Sequence, residues 1–153
     1  TVKGYQTSPE LFLDPNPAVV RLKQFLKNEI KKFFKDNERH ICWLIKKRPS
    51  QIKLRGWFVR LLKGGYQEAH IHPGGWLSGV VYLKTNPKKN EDEGAIEFGL
   101  HGYNFALKDI HYPWKIYRPK EGDIVIFPSN VFHKTVKIEG FNERCVIAFD
   151  LIP

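Results

Sequence analysis

Two histidines separated by one residue are the strongest chemical signal in the sequence. His70 and His72 end the run Gln67–His72, whose composition is typical of a β-strand. In a strand, residues i and i+2 point to the same face, with their Cα atoms about 7 Å apart. Two imidazoles placed in this way can bind one metal ion. A Pro-Gly-Gly turn follows at once, so the pair is predicted to lie at a strand end, where the mouth of a barrel would be.

A third histidine, His133, lies about 60 residues further along the chain. It opens a predicted strand after the apolar segment Asp123–Phe127 and a proline turn. A lone histidine in such a place is usually a core or surface residue. Antiparallel barrels, however, bring distant strands side by side. His133 therefore forms a candidate three-histidine metal site with His70 and His72.

An arginine, Arg144, follows His133 by eleven residues. It begins the otherwise apolar strand predicted at 144–152, so its side chain is expected on or near the inner end of the barrel. A buried cation needs an anionic partner, and the neighbouring predicted strands carry no acid in an obvious matching place. A ligand carboxylate would fit the planar fork of the guanidinium. An exposed position just past a loop is the alternative for this residue.

Together these residues resemble the motif of the Fe(II)/2-oxoglutarate oxygenases, in which a His-x-acid pair on one strand is followed by a distant histidine and then an arginine. The similarity is to a branch of these oxygenases related to prolyl hydroxylases, and it covers roughly residues 56–152. The tracts that carry it are Ala69–Pro73, Leu77–Leu83, Glu121–Pro128, His133 and Glu143-Arg144.

The resemblance implies a role for each matching residue. His70 and His133 match the two iron-ligating histidines, and Arg144 matches the residue that binds the distal carboxylate of 2-oxoglutarate. Tyr82 is similar to a tyrosine that often shares this carboxylate, and a core aromatic is its alternative role. The implied cofactors are Fe(II) and 2-oxoglutarate, and ascorbate is a candidate reductant. The implied reaction is hydroxylation of an unidentified small-molecule or peptide substrate, with release of succinate and CO2.

His72 departs from the commonest family pattern, which has Asp or Glu at this position. With His72 as a neutral imidazole ligand, the site would contain three histidines and one more unit of positive charge at the metal. In the alternative, His72 stands aside, and water or a carboxylate such as Glu97 completes the metal's coordination. We expect His72 to be a ligand.

Two other classes of protein fit parts of the sequence. Segments 64–72 and 122–133 resemble the two motifs of the cupins, which would make the chain a three-histidine metal dioxygenase that does not use 2-oxoglutarate. The cupin pattern also has a glutamate shortly after the paired histidines, where this chain has Trp76 and Leu77. A non-enzymatic binding module, with a basic functional surface, is the other class.

The segments that position these residues form a helical part and a β-rich part. Asn16 and Pro17 predict a helix start, and apolar residues then recur at helical spacing over about five turns, up to Phe33. A second short helix is predicted at Glu38–Lys47. After Ser50, short strands alternate with turn clusters, which is typical of an all-β sandwich or barrel. The predicted strands cover 52–62, 67–72, 77–84, 95–100, 123–127, 131–138 and 144–152, with a turn at 64–65.

The family resemblance implies a specific fold for this pattern of strands. We expect a mainly β protein, a distorted double-stranded β-helix of the jelly-roll or cupin-like kind, with N-terminal helices packed on one sheet. Residues 1–153 are predicted to form a single domain. Within it, residues 1–48 would be a helical support and residues 49–153 the barrel with the metal site.

The overall composition and charge indicate which classes of binding partner to expect. Apolar residues make up 42% and charged residues 27% of the chain, as in a globular protein, and no apolar run is long enough to span a membrane. The 25 Lys and Arg residues exceed the 16 acids, for a net charge of +9, without a nucleic-acid-binding motif. A solvated basic face is therefore predicted, nucleic acid is disfavoured, and an anionic substrate is weakly favoured. Cys42 and Cys145 are expected to be reduced, in a cytoplasmic protein.

Overall fold

The antiparallel strands of the chain are wound into two layers that share one long strand. The structure is a computed structural model that describes residues 1–85, 91–103, 105–106, 111–140 and 143–153. Within these ranges the strands are β1 (Val2–Gln6), β2 (Lys53–His70), β3 (Leu77–Lys84), β4 (Ile96–Gly99), β5 (Lys115–Tyr117), β6 (Ile124–Pro128), β7 (Phe132–Thr135) and β8 (Arg144–Ile152). The helices are α1 (Pro17–Asp36) and α2 (Trp43–Lys46), with a 3-10 helix at Leu11–Leu13.

The long strand β2 belongs to both layers. Its first half, Lys53–Leu61, pairs with β8 in a layer of order β2-β8-β3-β6, and its end pairs with β7 in a layer of order β2-β7-β4-β5. Gly64 lies between the two paired segments with a φ of 78°, a left-handed conformation that favours glycine. The turn predicted at 64–65 is thus a bend within one strand, because the chain changes layers there without reversing direction. This winding confirms the predicted double-stranded β-helix.

The larger layer buries apolar side chains on both of its faces. Its outer face packs against α1, whose Leu26, Ile30 and Phe34 share a buried cluster with Phe149 and Leu151 of β8. The second buried cluster has members from both layers. These are Trp57, Val59, Leu61, Val80, Tyr82, Ile96, Phe127, Ile138, Val146 and Ala148. Since each fully buried large side chain contributes roughly 1.5–3 kcal/mol, the first cluster holds α1 on the outer face of the larger layer, and the second joins the two layers on the inner face.

Helix α1 follows the sequence pattern closely. The Asn16 side chain accepts a hydrogen bond from the Ala18 backbone nitrogen at 2.9 Å, and Pro17 is the first helical residue. The apolar stripe faces the sheet, so the predicted packing of the N-terminal helix on one sheet is confirmed. Among the described residues, no helix combines the length and apolar character that a membrane crossing requires.

The second helix is shorter than predicted. The sequence indicated a helix over Glu38–Lys47, whereas α2 covers only Trp43–Lys46. Ile45 is its one buried residue, and Ile41 is 84% exposed. Because residues 38–41 are exposed, they lack the tertiary packing that stabilises most short helices.

Two strands of the structure were not predicted. Within the described residues, β1 pairs only with β2, and β5 pairs only with β4. Most of their side chains are exposed, and β5 has only three residues, so neither segment shows the longer alternation by which a half-buried strand is recognised. Residues 1–48 thus contribute a strand as well as helices. The division of the chain into a helical support and a barrel stays a prediction.

Gly79 leaves room for a core phenylalanine. It lies in β3 opposite Phe149 of β8, and a Cβ at this position would clash with the Phe149 ring. Because the ring is fully buried, it cannot move without disturbing the core. We expect Gly79→Ala to lower the free energy of unfolding by about 1–3 kcal/mol, as measured by equilibrium urea denaturation. Gly74→Ala is the matched control, since its Cβ would meet no atom of the described residues within 4 Å. Equal losses in the two variants would contradict this packing argument.

Candidate metal centre

Three histidine rings meet at the end of β2. His70 is the last residue of β2, and its Cα is paired with that of His133 in β7. His72 lies two residues further, in the turn that leads to β3. The ring centroids are 5.2 Å apart for His70 and His72, 4.4 Å for His70 and His133, and 5.0 Å for His72 and His133. The structure thus brings together the three histidines that the sequence analysis singled out.

The ring nitrogens are arranged so that they can share an ion. One potential ligand atom from each histidine lies within 4.8 Å of the others. The Nδ1 atom of His70 lies 2.6 Å from the Glu68 carbonyl oxygen, and that of His133 lies 3.0 Å from the Val131 carbonyl oxygen. A neutral imidazole that donates through Nδ1 presents the lone pair of Nε2. Uncharged imidazole nitrogens are ligands that suit iron, zinc, copper and nickel.

Burial keeps two of these imidazoles neutral. Desolvation lowers the pKa of His133 from 6.5 to about 4, although its hydrogen bond to the Val131 carbonyl acts in the opposite direction. Desolvation also lowers the pKa of His70, against the smaller effect of the Glu68 carbonyl. Both rings are therefore unprotonated at neutral pH, where protons do not compete with a metal cation for them.

His72 is held by a carboxylate instead of a backbone carbonyl. Its Nδ1 atom lies 2.6 Å from Asp150 Oδ1 and 3.1 Å from the Ser78 hydroxyl. The Ser78 hydroxyl donates to the same Asp150 oxygen at 2.6 Å and lies 2.8 Å from the Ser129 hydroxyl. The sequence analysis missed these three residues. The available signal for Asp150 was its position six residues after Arg144, on the same face of one strand.

Glu97, the acid considered as an alternative ligand, has another partner. Its Oε1 atom lies 3.0 Å from Lys134 Nζ on the neighbouring strand β7. Glu97 lines the same cavity as the histidines. Within the described residues, however, the cluster of potential ligand atoms around the three histidines includes no acid. His72, and not Glu97, therefore lies with His70 and His133 in the cluster of potential ligands.

Arg144 is a buried cation with unsatisfied donors. It is 3% exposed, and its Nε and Nη1 atoms have no hydrogen-bond partner among the described residues. The guanidinium lies over the ring of Tyr82, 5.0 Å from its centroid, and interacts with the buried Tyr82 hydroxyl. Burial lowers the pKa of Arg144 and raises that of Tyr82, whose hydroxyl consequently stays protonated. The guanidinium lines the cavity and has no acid beside it among the described residues, so it suits an anion such as a carboxylate.

One cavity of about 1310 Å³ connects the histidines with this guanidinium. Its wall includes Arg144, Val146, Ala148 and Asp150. These are alternate residues of β8 and therefore share a face. The strand thus presents a cation at one end, apolar side chains in the middle and the carboxylate that contacts His72 at the other end. Tyr82 itself is not part of the cavity wall.

Residues 55–150 match the protein family described as "Putative 2OG-Fe(II) oxygenase". The matched segment runs from β2 to β8, and it contains the three histidines together with Tyr82, Arg144 and Asp150. No curated protein sequence matches the chain.

Several solved structures share the fold at low sequence identity. A prolyl-4-hydroxylase from Pseudomonas putida is 14% identical with a TM-score of 0.61, and the alignment covers 98% of this chain and 68% of that one. HygX from Streptomyces hygroscopicus, with nickel and 2-oxoglutarate bound, is 14% identical with a TM-score of 0.57, covering 99% and 70%. An oxidoreductase of the 2OG-Fe(II) oxygenase family from Burkholderia pseudomallei is 16% identical with a TM-score of 0.53, covering 71% and 48%. The chain thus spans about half the length of the last protein. At these identities the likeness shows the fold.

Proposed function

The chain belongs to the 2OG-Fe(II) oxygenase family, and from that premise we propose that it is a dioxygenase that hydroxylates a small-molecule or peptide substrate with release of succinate and CO2. One observation carries the proposal: three histidines line the same cavity as a buried guanidinium that has no anionic partner in the part of the chain that the structure describes. The histidines suit a divalent metal ion and the guanidinium suits a carboxylate. Fe(II) and 2-oxoglutarate, the cofactors of the family, require both.

His70, His72 and His133 would hold the iron. When bound, Fe(II) supplies the activation of O2, which side chains cannot perform. The protein's contribution is to keep the imidazoles unprotonated and oriented. For His70 and His133, burial and the hydrogen bonds of Nδ1 to backbone carbonyls do this.

Arg144 and Tyr82 would bind the distal carboxylate of 2-oxoglutarate. The guanidinium, which has no acid beside it among the described residues, would make charge-assisted hydrogen bonds to this carboxylate, and the Tyr82 hydroxyl next to the guanidinium would support them. The bound anion would also offset the cost of burying a cation among apolar residues such as Val146. This gives a physical reason for a guanidinium inside the barrel.

The cavity has room for a substrate beside 2-oxoglutarate. Its volume of about 1310 Å³ exceeds the roughly 300–1,000 Å³ of typical small-molecule sites. Trp57 lies on its wall with its ring centroid 5.4 Å from that of His72, where its apolar surface would exclude water from the metal. The net charge of +9 favours an anionic substrate through electrostatic steering.

The setting of this reaction is proposed to be cytoplasmic. Cys42 and Cys145 are both free thiols in the structure. Reduced cysteines are typical of proteins in reducing compartments. A 2-oxoglutarate-dependent enzyme would find its co-substrate there as a small soluble acid.

The test of the proposed function is the formation of succinate. Protein purified without oxygen and loaded with Fe(II) is expected to convert 2-oxoglutarate to succinate once O2 is admitted, as measured by mass spectrometry. Ascorbate is added as the reductant, because one oxygen atom of O2 enters succinate and the other has no substrate to oxidise. Omission of Fe(II), of 2-oxoglutarate or of O2 should each reduce succinate to background, because all three enter the same reaction. Protein loaded with redox-inert Zn(II) is the control for non-enzymatic decarboxylation.

Two results would contradict this function in different ways. Iron binding without binding or consumption of 2-oxoglutarate would favour the three-histidine cupin-type dioxygenase, which fits a site without a ligand acid. Absence of iron binding under any condition would favour a non-enzymatic binding module.

A further inference from the structure

The three histidines of the candidate metal centre differ in what holds their second ring nitrogen. Backbone carbonyls, which carry no net charge, face Nδ1 of His70 and His133. A carboxylate, that of Asp150, faces Nδ1 of His72. His72 is also the position where the commonest family pattern has an acid. The negative charge that a carboxylate ligand would carry at position 72 is therefore found on Asp150, on the far side of the His72 ring.

We propose that Asp150 is a positioning residue that orients His72 and supplies, through its ring, the negative charge that a carboxylate ligand would have supplied at position 72. The proposal rests on the proposed function in one respect, namely that the histidines bind a divalent metal ion. With three neutral imidazoles, a divalent ion keeps a net charge of +2. The ion, the three imidazoles and the Asp150 carboxylate together carry a net charge of +1. Two histidines and one carboxylate around the same ion carry the same net charge.

The contacts of Asp150 fix both the carboxylate and the ring. The 2.6 Å contact between Oδ1 and His72 Nδ1 is as short as a charge-assisted hydrogen bond, and it selects the tautomer that presents Nε2. The Ser78 hydroxyl donates to the same oxygen at 2.6 Å and, within the described residues, contacts the Ser129 hydroxyl at 2.8 Å. Ser78 is fully buried and Ser129 is 1% exposed. The carboxylate is therefore held from the side of the protein core and cannot turn away freely.

The backbone around His72 is fastened to the same group of residues. The His72 backbone nitrogen donates to the Ser129 carbonyl oxygen at 2.9 Å. A Cβ at Gly75 would meet Ser129 Oγ at 2.5 Å, so the glycine allows the turn after His72 to lie directly against Ser129. The strands contribute as well, because Ser78 and Asp150 are paired in the register of β3 and β8. Ring, turn and carboxylate thus form one rigid unit.

Glu97 provides a contrast within the same cavity. It also carries a negative charge on the cavity wall, but its carboxylate lies 3.0 Å from Lys134 Nζ. Glu97 has no such contact with a histidine of the cluster. A neutral substitution at position 97 therefore changes the charge of the cavity wall without changing what holds the imidazoles.

The experiment is a double-mutant cycle between positions 72 and 150, with Co²⁺ as the probe. Wild type, Asp150→Asn, His72→Asp and the double variant are titrated without oxygen against a chromophoric chelator, and the melting temperature of each metal-free protein is recorded. Asn keeps the shape and the acceptor oxygen of Asp but not its charge. Asp150→Asn is expected to weaken Co²⁺ binding about 10- to 100-fold. In the His72→Asp background the same substitution should change the affinity less than about threefold, because the imidazole through which Asp150 acts is gone.

Matched variants separate this role from simpler ones. Glu97→Gln should weaken Co²⁺ binding less than about threefold, and an effect equal to that of Asp150→Asn would reduce the proposal to general cavity charge. If Asp150→Asn lowered Co²⁺ affinity by the same factor in the wild-type and His72→Asp backgrounds, Asp150 would not act through His72, and the proposal would be wrong.

Ser78→Ala releases the carboxylate without removing it and should weaken Co²⁺ binding by a smaller factor than Asp150→Asn. It replaces Asp150→Asn in the experiment if that variant does not fold. If wild type itself binds no Co²⁺, the proposed function fails; if it binds and Asp150→Asn binds equally well, only this inference fails.

Discussion

The Arg144→Met variant is expected to lose most of its affinity for 2-oxoglutarate while it keeps its affinity for divalent metal. In the wild type, the Nε and Nη1 atoms of the buried guanidinium have no partner among the described residues, and a carboxylate of the co-substrate would satisfy them. Removal of one member of a buried, hydrogen-bonded charge pair costs about 2–5 kcal/mol. This corresponds to an affinity that is roughly 30-fold to several thousand-fold weaker. Methionine is chosen because it fills a similar volume without charge and adapts to irregular cores.

The same substitution should not harm the metal-free fold. A buried cation without an anionic partner is destabilising, so the variant is expected to melt at the same or a higher temperature than the wild type. Thermal denaturation with and without 2-oxoglutarate, in the presence of Zn²⁺, measures both effects. A ligand that binds only the native state raises its stability. The wild type should therefore gain stability from 2-oxoglutarate, whereas Arg144→Met should gain little at the same concentration.

Arg60→Met is the matched control for this experiment. Arg60 also belongs to a strand of the larger layer, but its side chain is half exposed and pairs with Glu143 outside the cavity. It should respond to 2-oxoglutarate like the wild type. If Arg144→Met retained full 2-oxoglutarate affinity, the co-substrate role of Arg144 would be wrong. If the wild type also showed no response, the cupin-type alternative would be favoured.

The convergence of the histidines could be predicted because two simple regularities suffice for it. The period of two in a strand predicts that His70 and His72 lie on one side, and antiparallel strands bring a distant His133 next to them. His72 lies beyond the end of β2, yet its ring still meets the other two. In the structure, His70 and His133 are directly paired across β2 and β7. Helix α1 was equally accessible from the sequence, since its start and its apolar stripe are both encoded locally.

Asp150 could not be found in the same way. Its contact with His72 joins residues that are 78 positions apart, and its contact with Ser78 depends on the register of β8 against β3. Register is set by which faces are buried and by the geometry of the turns, not by any pattern within one strand. An acid near the end of an apolar strand is most often a solvated residue. The spacing from Arg144 indicates which face of β8 Asp150 lies on, but its contact with His72 is visible only in the folded structure.

The His133→Ala variant is expected to lose metal binding and, with it, the formation of succinate. His133 is the one member of the trio that β7 contributes, and it is 6% exposed, with a pKa lowered to about 4 by burial. It therefore offers a neutral nitrogen without competition from protons over the physiological range. Structural metal sites with four ligands contribute about 10–16 kcal/mol, which is roughly 3 kcal/mol per ligand. Loss of one ligand should thus weaken Co²⁺ binding on the order of 100-fold or more.

A histidine elsewhere in the cavity tests whether this loss is specific. His101 also lines the cavity, but its Nε2 atom contacts the Phe105 carbonyl oxygen at 2.5 Å, and it is not part of the three-histidine cluster. His101→Ala should keep Co²⁺ affinity within about threefold of the wild type, the margin for independent sites. The melting temperature of metal-free His133→Ala must be measured as well, because its ring packs 4.6 Å from that of Phe127. A folded His133→Ala protein that bound Co²⁺ as tightly as the wild type would remove His133 from the metal centre, since two imidazoles cannot replace three without a loss of affinity.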